Sequence, residues 1–310
     1  MARVRWGIIG AGDVVRRKSG PSLLAEPRSS LAAICSGGSD VSALTARFGA
    51  RLHPNAKSLI ADRAIDAIYI AVPPQHHEEM VMQALAARKP IVVEKPIAPD
   101  LAGGMRMVAA ARTERTSLSV AYYRRCDPKL TRMLAMVEAG AVGKLEKVEI
   151  RQLRTDGDVP PYGWRGDPSA SPGGRFSDSH SHALDWLIWA FGPVNKHSVV
   201  ARGSAVAYAL SLDECTATGV FDPDADEAED RLTIHGEKGT LTTKFFDPGP
   251  LRLTRDGGMI EQDIATPAAP HLPFFAAMVE HILDDANSPC TAIDALAASR
   301  IIEAIYPPGV

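Results

Sequence analysis

The chain has 310 residues, of which 45% are hydrophobic and 23% are charged, and its formal net charge at pH 7 is −3. This is the composition of a globular protein, and the length favours two domains over one. The slightly acidic balance argues against nucleic acid or an anionic membrane surface as a partner, and no apolar run reaches the roughly 18 residues that a membrane span requires.

Cysteine usage and the N-terminus predict a cytoplasmic protein. The four cysteines, Cys35, Cys126, Cys215 and Cys290, are widely spaced and form no C-x-x-C pair. This argues against a disulfide framework or a thiolate zinc site and fits a reducing compartment. The N-terminus begins with a strand-like run and lacks the long apolar segment of a signal peptide.

The first 120 residues alternate between strand-like and helix-like segments. The strand-like runs are Val4–Ile9, Leu31–Cys35, Ala67–Val72, Ile91–Val93 and Leu118–Ala121. The helical patterns between them cover Ser42–Phe48, Glu78–Ala87 and Leu101–Thr113. Buried strands that alternate with helices predict a parallel sheet covered on both faces.

The pattern changes after a predicted helix over Lys129–Ala139. The strands predicted beyond it are Leu145–Leu153, Val199–Arg202, Ala207–Leu212, Ala217–Phe221, Arg231–His235, Thr240–Phe246 and Leu251–Thr254. They favour a largely antiparallel sheet with one solvated face. Two helices, over Phe274–Ile282 and Ala292–Tyr306, are expected to close the chain.

The acidic segment 222-DPDADEAEDR-231 begins like a calcium-binding loop. Such a loop needs glycine at its sixth position and glutamate at its twelfth, where this chain has Glu227 and Thr233. The segment is therefore interpreted as a solvated hairpin loop, and no metal site is predicted in the chain.

A glycine-rich turn follows the first predicted strand, in 4-VRWGIIGAGDVV-15. Gly10 and Gly12 permit a tight turn in which backbone N–H groups approach a pyrophosphate at a helix N-terminus. Val15 stands where the third glycine of G-x-G-x-x-G is usual, so a glycine-rich turn that binds nothing is the alternative.

The end of the second strand favours NADP over NAD. An NAD site usually has an acidic residue here for the ribose hydroxyls, but this strand ends in Ser36 and Gly37, and Asp40 comes too late. Small neutral residues leave room for a 2′-phosphate. The consecutive cations of residues 16–18 (Arg16, Arg17 and Lys18) are expected to supply positive charge nearby.

Two further strand ends carry polar residues. Glu94 and Lys95 follow the fourth strand, and Pro96 fixes the chain beyond them. His76 and His77 follow the third strand after a Pro-Pro pair. Ligands of open α/β sheets bind at this carboxyl edge. The alternatives are a surface salt bridge for the first pair and a structural role for the histidines.

A polar stripe lies in 173-GGRFSDSHSHALDWLIWAFG-192. If this stretch is helical, Asp178, His182 and Asp185 share one face because they are four and three residues apart. The alternative interpretation is a helix N-cap formed by Ser177 or Asp178, together with a core histidine.

Taken together, these motifs resemble the glucose–fructose oxidoreductase / inositol dehydrogenase (Gfo/Idh/MocA) family over nearly the whole chain. The segments that carry the resemblance are GIIGAG, 66-DAIYIAVPPQHH-77, VEKPIA, 121-AYYRRCDP-128, 163-GWRGDP-168 and 173-GGRFSDSHSHALD-185. The resemblance implies a Rossmann NAD(P)-binding domain over residues 1–121. It also implies an α+β domain over residues 122–310 with a large, open, mostly antiparallel sheet for substrate binding and oligomerisation, and a last helix that packs back on the first domain.

The resemblance also assigns roles. Lys95, Asp178 and His182 are expected to be catalytic: His182 moves the proton, Lys95 stabilises charge on the oxygen, and Asp178 orients the substrate or the histidine. Asp185 is expected to support His182. His180 departs from the family, which usually has glycine there.

The motifs and the resemblance together define a cofactor site and a substrate site. Residues expected at the cofactor are Gly10, Ala11, Gly12, Asp13, Val14, Ser36, Gly37, Val72, Pro73, Pro74, His77, Glu94, Lys95, Tyr123, Trp164, Arg165 and Tyr306. Residues expected at the substrate are Lys95, Arg124, Trp164, Arg165, Asp178 and His182.

The implied function is an NAD(P)-dependent oxidoreductase, with NADP favoured. It would transfer a hydride between the nicotinamide and a carbinol or carbonyl carbon of a sugar, inositol or similar polyhydroxylated molecule. The implied assembly is a homodimer or homotetramer, with neither nucleic acid nor a membrane as partner. An NAD-dependent glycosidase of the same family and a non-catalytic dinucleotide-binding regulator are the alternatives.

Overall fold

A computed structural model describes residues 2–37, 41–155, 164 and 171–307. The chain divides into two compact units. The first comprises Met1–Cys126, Ser169–Ser171 and Pro267–Ser299, and the second comprises Asp127–Pro168, Pro172–Thr266 and Arg300–Val310. The first unit thus takes in a C-terminal segment, and the functional boundary proposed after residue 121 stays a prediction.

A six-stranded parallel sheet forms the centre of the first unit. Its strands are β1 (Val4–Ile9), β2 (Ser29–Cys35), β3 (Arg51–Leu52), β4 (Ala67–Ile70), β5 (Ile91–Val93) and β6 (Leu118–Val120). Their order in the sheet is β3-β2-β1-β4-β5-β6, the order of a doubly wound dinucleotide-binding fold. The predicted Rossmann architecture is confirmed. The chain order reverses at β1 and β4, so a crevice for ligands is expected at their carboxyl ends.

An eight-stranded sheet forms the centre of the second unit. Its strands are β7 (Leu145–Leu153), β8 (Lys196–Arg202), β9 (Ala205–Ser211), β10 (Thr216–Asp222), β11 (Glu229–Gly236), β12 (Gly239–Thr243), β13 (Leu251–Arg255) and β14 (Gly258–Gln262). Their order is β14-β13-β12-β11-β7-β10-β9-β8. All neighbours are antiparallel except β7 and β10, which run parallel. The prediction of a mostly antiparallel sheet is confirmed.

The α-helices, in chain order, are α1 (Gly20–Ala25), α2 (Ser42–Phe48), α3 (Ala56–Ile60), α4 (His77–Leu85), α5 (Leu101–Glu114), α6 (Pro128–Glu138), α7 (Ser181–Phe191), α8 (Leu272–Asp284) and α9 (Ala292–Ile305). π-Helical turns over Val15–Ser19 and Phe176–His180 lead directly into α1 and α7. In the part of the chain that the structure covers, none of the helices combines the length and the apolar character needed to cross a membrane.

The acidic segment between β10 and β11 is not the hairpin loop that its sequence predicts. β10 and β11 lie on opposite sides of β7 and do not pair with each other. The connection must therefore cross β7 instead of reversing between adjacent strands. Local composition predicted a turn correctly but could not show that β7, some 70 residues earlier, occupies the position between the two strands.

Two strands, β14 and β3, were not predicted, and a third, β8, was predicted to begin too late. Each of the three differences has a physical reason. β14 is exposed along its whole length, so it shows no apolar alternation. β3 has two exposed residues and is defined only by its pairing with β2. β8 begins three residues before its predicted start because its first residues are solvated. Apolar periodicity detects strands through burial, and these segments have little.

The core of the first unit joins α8 to the parallel sheet. Phe275 of α8 makes edge-on contacts with Trp6 of β1 and Tyr69 of β4, with ring centroids 5.5 Å and 5.4 Å apart. All three side chains are fully buried. The sheet that carries the glycine-rich turn thus packs against a helix from the other end of the chain.

Candidate active site

The glycine-rich turn lies at the carboxyl end of β1, and Gly10 is required there by its conformation. Its φ is +110°, and a Cβ on it would lie 2.3 Å from the carbonyl oxygen of Ala71, which follows β4. Gly10 N–H donates to the carbonyl of Cys35 at the end of β2, at 2.7 Å. The turn is thus fixed against both neighbouring strands.

Gly12 differs from Gly10 because a Cβ on it would meet no atom within 4 Å. The helical segment begins directly after it, and Arg16 N–H donates to the Gly12 carbonyl at 3.1 Å. An open backbone at a helix N-terminus is a suitable place for a pyrophosphate. The residues present therefore fit a dinucleotide. Val15, in place of the third glycine, is fully buried and opens the π-helical turn, so strand, turn and helix persist without that glycine.

The end of β2 places Ser36 half-buried and Gly37 exposed, with open space around Gly37. Asp40 lies outside the described residues. The expectation that Lys18 supplies charge near this strand end stays a prediction. Its ammonium nitrogen lies 5.8 Å from the centre of the Tyr123 ring and influences the titration of Glu94, which follows β5 on the other side of β1 and β4.

Glu94 is a buried carboxylate and not a surface ion-pair partner, because its residue is only 8% exposed. The Tyr69 hydroxyl donates to its Oε1, and the Lys95 backbone N–H lies 3.3 Å from its Oε2. Burial raises the pKa of Glu94, and the positive charges of Lys95 and Lys18 act in the opposite direction. Lys95, half-buried, follows at the carboxyl edge of the sheet.

His77 joins two strand ends. Its ring is fully buried, with Nε2 2.9 Å from the Val72 carbonyl and Nδ1 3.0 Å from the Pro96 carbonyl. Burial lowers the pKa of His77 to about 4, although the carbonyls around the ring favour its charged form. The ring thus holds the segments after β4 and β5 together. The expectation that His77, with Val72, Pro73 and Pro74, lines the cofactor stays a prediction.

An aromatic and basic group lies beside this edge of the sheet. The rings of Tyr123 and His271 stack with centroids 4.1 Å apart, and the guanidinium carbon of Arg124 lies 5.4 Å from the Tyr123 ring. His271 is 1% exposed, and its pKa falls well below the ordinary value, first through burial and then through the charges of Lys18, Lys95 and Arg124. Three cations therefore lie within electrostatic reach of one imidazole.

Sequence reasoning missed Tyr69 and His271. Tyr69 had a signal, since it is a hydroxyl-bearing residue within an otherwise apolar strand. His271 had none, because it follows Tyr123 by nearly 150 residues and only the packing of α8 brings the two rings together. Of the predicted residues, Glu94, Lys95, Tyr123 and Arg124 are all in the first unit.

The helical stretch that carries Asp178 and His182 lies in the second unit. It begins at Arg175, continues through the π-helical turn and ends with α7, so the predicted helix is confirmed. Ser177 and Asp178 lie inside it, and Asp178 N–H donates to the Gly174 carbonyl at 3.0 Å. The N-cap alternative for these two residues is therefore wrong.

Burial increases along the polar stripe of this helix. Asp178 is half-buried, His182 is 6% exposed and Asp185 is 2% exposed. The support of His182 by Asp185 stays a prediction. So does the meeting of Lys95 with Asp178 and His182 at one substrate.

Tyr306 packs against the turn that precedes this helix. A Cβ on Gly173 would lie 2.4 Å from the Tyr306 ring, and the rings of Tyr306 and Phe176 are 5.8 Å apart. Burial raises the pKa of Tyr306 to about 12. Trp164 is half-buried, and Arg165 lies outside the described residues. The cofactor contacts of these three residues stay predictions.

Metal ligands are a separate question. Across residues 2–37, 41–155, 164 and 171–307, no three His, Cys, Asp or Glu side chains are grouped so as to hold a metal ion.

The buried His77 predicts acid sensitivity. The folded-state pKa of about 4 lies below the ordinary histidine pKa of 6.5, so the unfolded chain binds the proton more readily. The stability that this ring contributes is therefore present above pH 6.5 and is lost as the pH falls towards 4. For His77 alone, the free energy of unfolding should fall by about 2 kcal/mol between pH 7 and pH 5.

Urea unfolding of His77→Gln at both pH values tests this. Glutamine retains an N–H donor but cannot take up a proton, so the loss between pH 7 and pH 5 should be about 2 kcal/mol smaller than in the wild type. His197→Gln, on the exposed β8, is the matched control and should keep the wild-type loss. Equal losses in all three proteins would contradict the assignment.

The two glycines of the turn predict opposite phenotypes. Gly10→Ala should lower the melting temperature, because its Cβ meets the Ala71 carbonyl and its φ is unfavourable for alanine. Gly12→Ala should leave the melting temperature unchanged but weaken dinucleotide binding by about tenfold, or 1.4 kcal/mol, because the methyl group takes up the open space over the backbone. Calorimetry and fluorescence titration measure the two effects. Unchanged binding by Gly12→Ala would place the dinucleotide elsewhere.

Two family models match this chain, one in its N-terminal part and one in its C-terminal part. Residues 4–122 match a model described as "Oxidoreductase family, NAD-binding Rossmann fold", and residues 130–242 match the GFO/IDH/MocA C-terminal domain. Oxidoreductase P35 of Formosa agariphila is 27% identical over 315 residues, which cover 97% of this chain and 98% of that protein.

One further relative and one solved structure of similar fold extend the comparison. Inositol 2-dehydrogenase of Corynebacterium glutamicum is 30% identical over 200 residues, covering 61% of this chain and 54% of that protein. The crystal structure of a 3-ketoreductase from Actinomadura kijaniata, in complex with NADP and TDP-benzene, superposes with a TM-score of 0.82 at 20% identity, covering 97% of this chain and 96% of that one. From the strand order, the glycine-rich turn and these matches, the chain belongs to the Gfo/Idh/MocA oxidoreductase family, with an NAD(P)-binding Rossmann domain.

Proposed function

We propose that this protein transfers a hydride between a nicotinamide dinucleotide and a carbinol or carbonyl carbon of a sugar, inositol or similar polyhydroxylated molecule. The observation that carries the proposal is the strand end of β5. There, a lysine follows a buried, hydrogen-bonded glutamate at the carboxyl edge of a dinucleotide-binding sheet. A cation held at that edge is suited to an oxygen that gains negative charge.

The dinucleotide supplies the hydride acceptor or donor when it is bound. The turn from Gly10 to Val14 would hold its pyrophosphate, and Ser36 and Gly37 would face the ribose of its adenosine half. Glu94 would lie near the nicotinamide ribose. The Glu94 carboxylate is fixed by the Tyr69 hydroxyl, so its second oxygen has a defined direction.

The chain's own residues then divide the proton chemistry. His182 would take a proton from the substrate hydroxyl, or return one to the carbonyl oxygen, since histidine ordinarily titrates near neutrality. Lys95 would stabilise the negative charge on that oxygen. Asp178 precedes His182 by four residues on the same helical stretch and would orient the substrate or the imidazole.

The relatives support the substrate class without fixing the substrate. The name inositol 2-dehydrogenase specifies a polyol, and the 3-ketoreductase was crystallised with NADP. A neutral strand end at Ser36 and Gly37 agrees with NADP, and we propose it as the preferred cofactor.

We also propose a cytoplasmic homodimer or homotetramer. None of the chain's four cysteines, all of which lie within the described residues, forms a disulfide, which fits a reducing compartment. The outer strands of the second sheet expose large apolar side chains, namely Val200 on β8 and Met259 and Ile260 on β14. Such surfaces favour association.

Alanine replacement tests the proposed catalytic residues. Lys95→Ala and His182→Ala should each reduce kcat by about 100-fold or more, because a charge-stabilising or proton-transferring group is lost, while dinucleotide binding is retained. Lys57→Ala and His197→Ala remove exposed residues of the same types and serve as controls. Wild-type turnover in either active-site variant would refute the mechanism.

A fluorescence titration tests the cofactor assignment. NADPH should bind more tightly than NADH, because Ser36 and Gly37, the described residues directly after β2, carry no carboxylate to repel a 2′-phosphate. Preference for NADH would overturn the assignment. If both bind and no sugar or polyol is turned over, the regulator alternative gains support; cofactor that copurifies and is never consumed in proportion to product points to the glycosidase.

A further inference from the structure

His180 lies on the helical stretch between Asp178 and His182. Its imidazole is fully buried and is surrounded by aromatic rings. The centroids of Phe176, Phe221 and Tyr208 lie 5.1, 5.4 and 5.6 Å from its own. A buried side chain of this size, two residues from each proposed catalytic residue, restricts how that part of the helix can pack.

Both nitrogens of this imidazole have hydrogen-bond partners on the second sheet. Nδ1 lies 2.9 Å from Oε1 of Gln152 on β7, and Nε2 lies 2.9 Å from the hydroxyl of Tyr208 on β9. The amide nitrogen of Gln152 donates to the hydroxyl of Ser179, and in this orientation of the amide Oε1 faces the imidazole. Because Oε1 only accepts, Nδ1 carries the proton, and Nε2 must accept from the Tyr208 hydroxyl.

The imidazole has a hydrogen-bond partner at each nitrogen and stays neutral. Burial lowers the pKa of His180 to about 3 and raises that of the Tyr208 hydroxyl far above its usual range. Neither group changes its charge near neutral pH, so both serve as fixed hydrogen-bonding groups. A buried, fully satisfied polar network of this kind fixes geometry.

The sheet has a matching space for the Tyr208 ring. Gly219 of β10 pairs with Tyr208 of β9, and a Cβ at Gly219 would lie 1.9 Å from the ring carbon that bears the hydroxyl. Only glycine lets the ring cross β10 towards the helix. Gln152 of β7 pairs with Phe221 of β10, whose ring also packs against His180. β7, β9 and β10 therefore each contribute a residue to the contact with His180.

We propose that His180, held by Gln152 and Tyr208, is a positioning residue that fixes the π-helical turn and thereby the placement of Asp178 and His182. The effect of His180 on catalysis rests on the proposed function, whereas its effect on the position of the turn does not. His180 follows Asp178 by two residues and precedes His182 by two, and Ser179 between them is held by the same amide. A shift of this turn would move both proposed catalytic side chains together.

Tyr208→Phe tests this role with little disturbance, because the ring remains and only the hydroxyl is lost. The variant should lose about tenfold in kcat, since small misplacements of catalytic groups carry costs of this order, while its affinity for NADPH stays unchanged. In the free protein, the NMR titration midpoint of the His182 ring signals, assigned with His182→Ala, should move away from the wild-type value.

Thr243→Val is the matched control. Thr243 is 4% exposed, lies on β12 of the same sheet, and donates its hydroxyl to the Pro250 carbonyl at 2.9 Å. Its replacement should lower the melting temperature as Tyr208→Phe does, but leave kcat and the His182 titration unchanged. If Tyr208→Phe also changes only the melting temperature, His180 is a packing residue and the proposal is wrong.

The proposed reaction and the positioning role of His180 can be refuted independently of each other. The His182 titration requires no substrate, so it decides the positioning role even if no sugar or polyol is turned over. Absence of turnover in the wild-type protein would refute the proposed reaction alone. An unchanged His182 titration in Tyr208→Phe would refute the positioning role alone.

Discussion

The candidate cofactor site depends on one constraint, the close approach of the chain after β1 to the chain after β4. Gly10 turns the chain against the carbonyl of Ala71, at a distance that leaves no room for a side chain. This approach brings the ends of β1 and β4 together at the point where the strand order reverses. The next glycine can then present open backbone at the start of a helix. The loss of the third glycine matters less, because a π-helical turn accommodates the buried Val15.

Buried polar groups organise the same edge of the sheet. Glu94 is taken out of water but keeps a hydrogen bond from Tyr69, and His77 joins two loops through their main-chain carbonyls. A buried polar group without a partner is costly, so each such contact favours one arrangement of the loops over others. The lysine that follows Glu94 is thereby attached to a rigid element, as its proposed role in catalysis requires.

In the second unit, buried polar groups also favour one arrangement, here of the helical stretch that carries His180 against the sheet. This sheet supplies an amide and a phenol hydroxyl to one imidazole, and a glycine on the intervening strand makes room for the phenol ring. His180 is the centre of this hydrogen-bonded network. Its burial is compatible with the fold because the partners on β7 and β9 and the space at Gly219 occur together.

The sequence by itself determined the fold class, most strands, the helix that carries Asp178 and His182, and the motifs that identify the family. Those features depend on local periodicity and on short spacings between residues. Such patterns are present in the sequence regardless of how the segments pack in the fold. It also singled out Lys95 and His182, because their motifs are local. Only the tertiary structure decided that β10 and β11 flank β7, that Lys18 lies beside Tyr123, and that His271 and His180 are buried against aromatic partners. These are contacts between residues far apart in sequence, and no local pattern specifies which distant surface a buried side chain will meet.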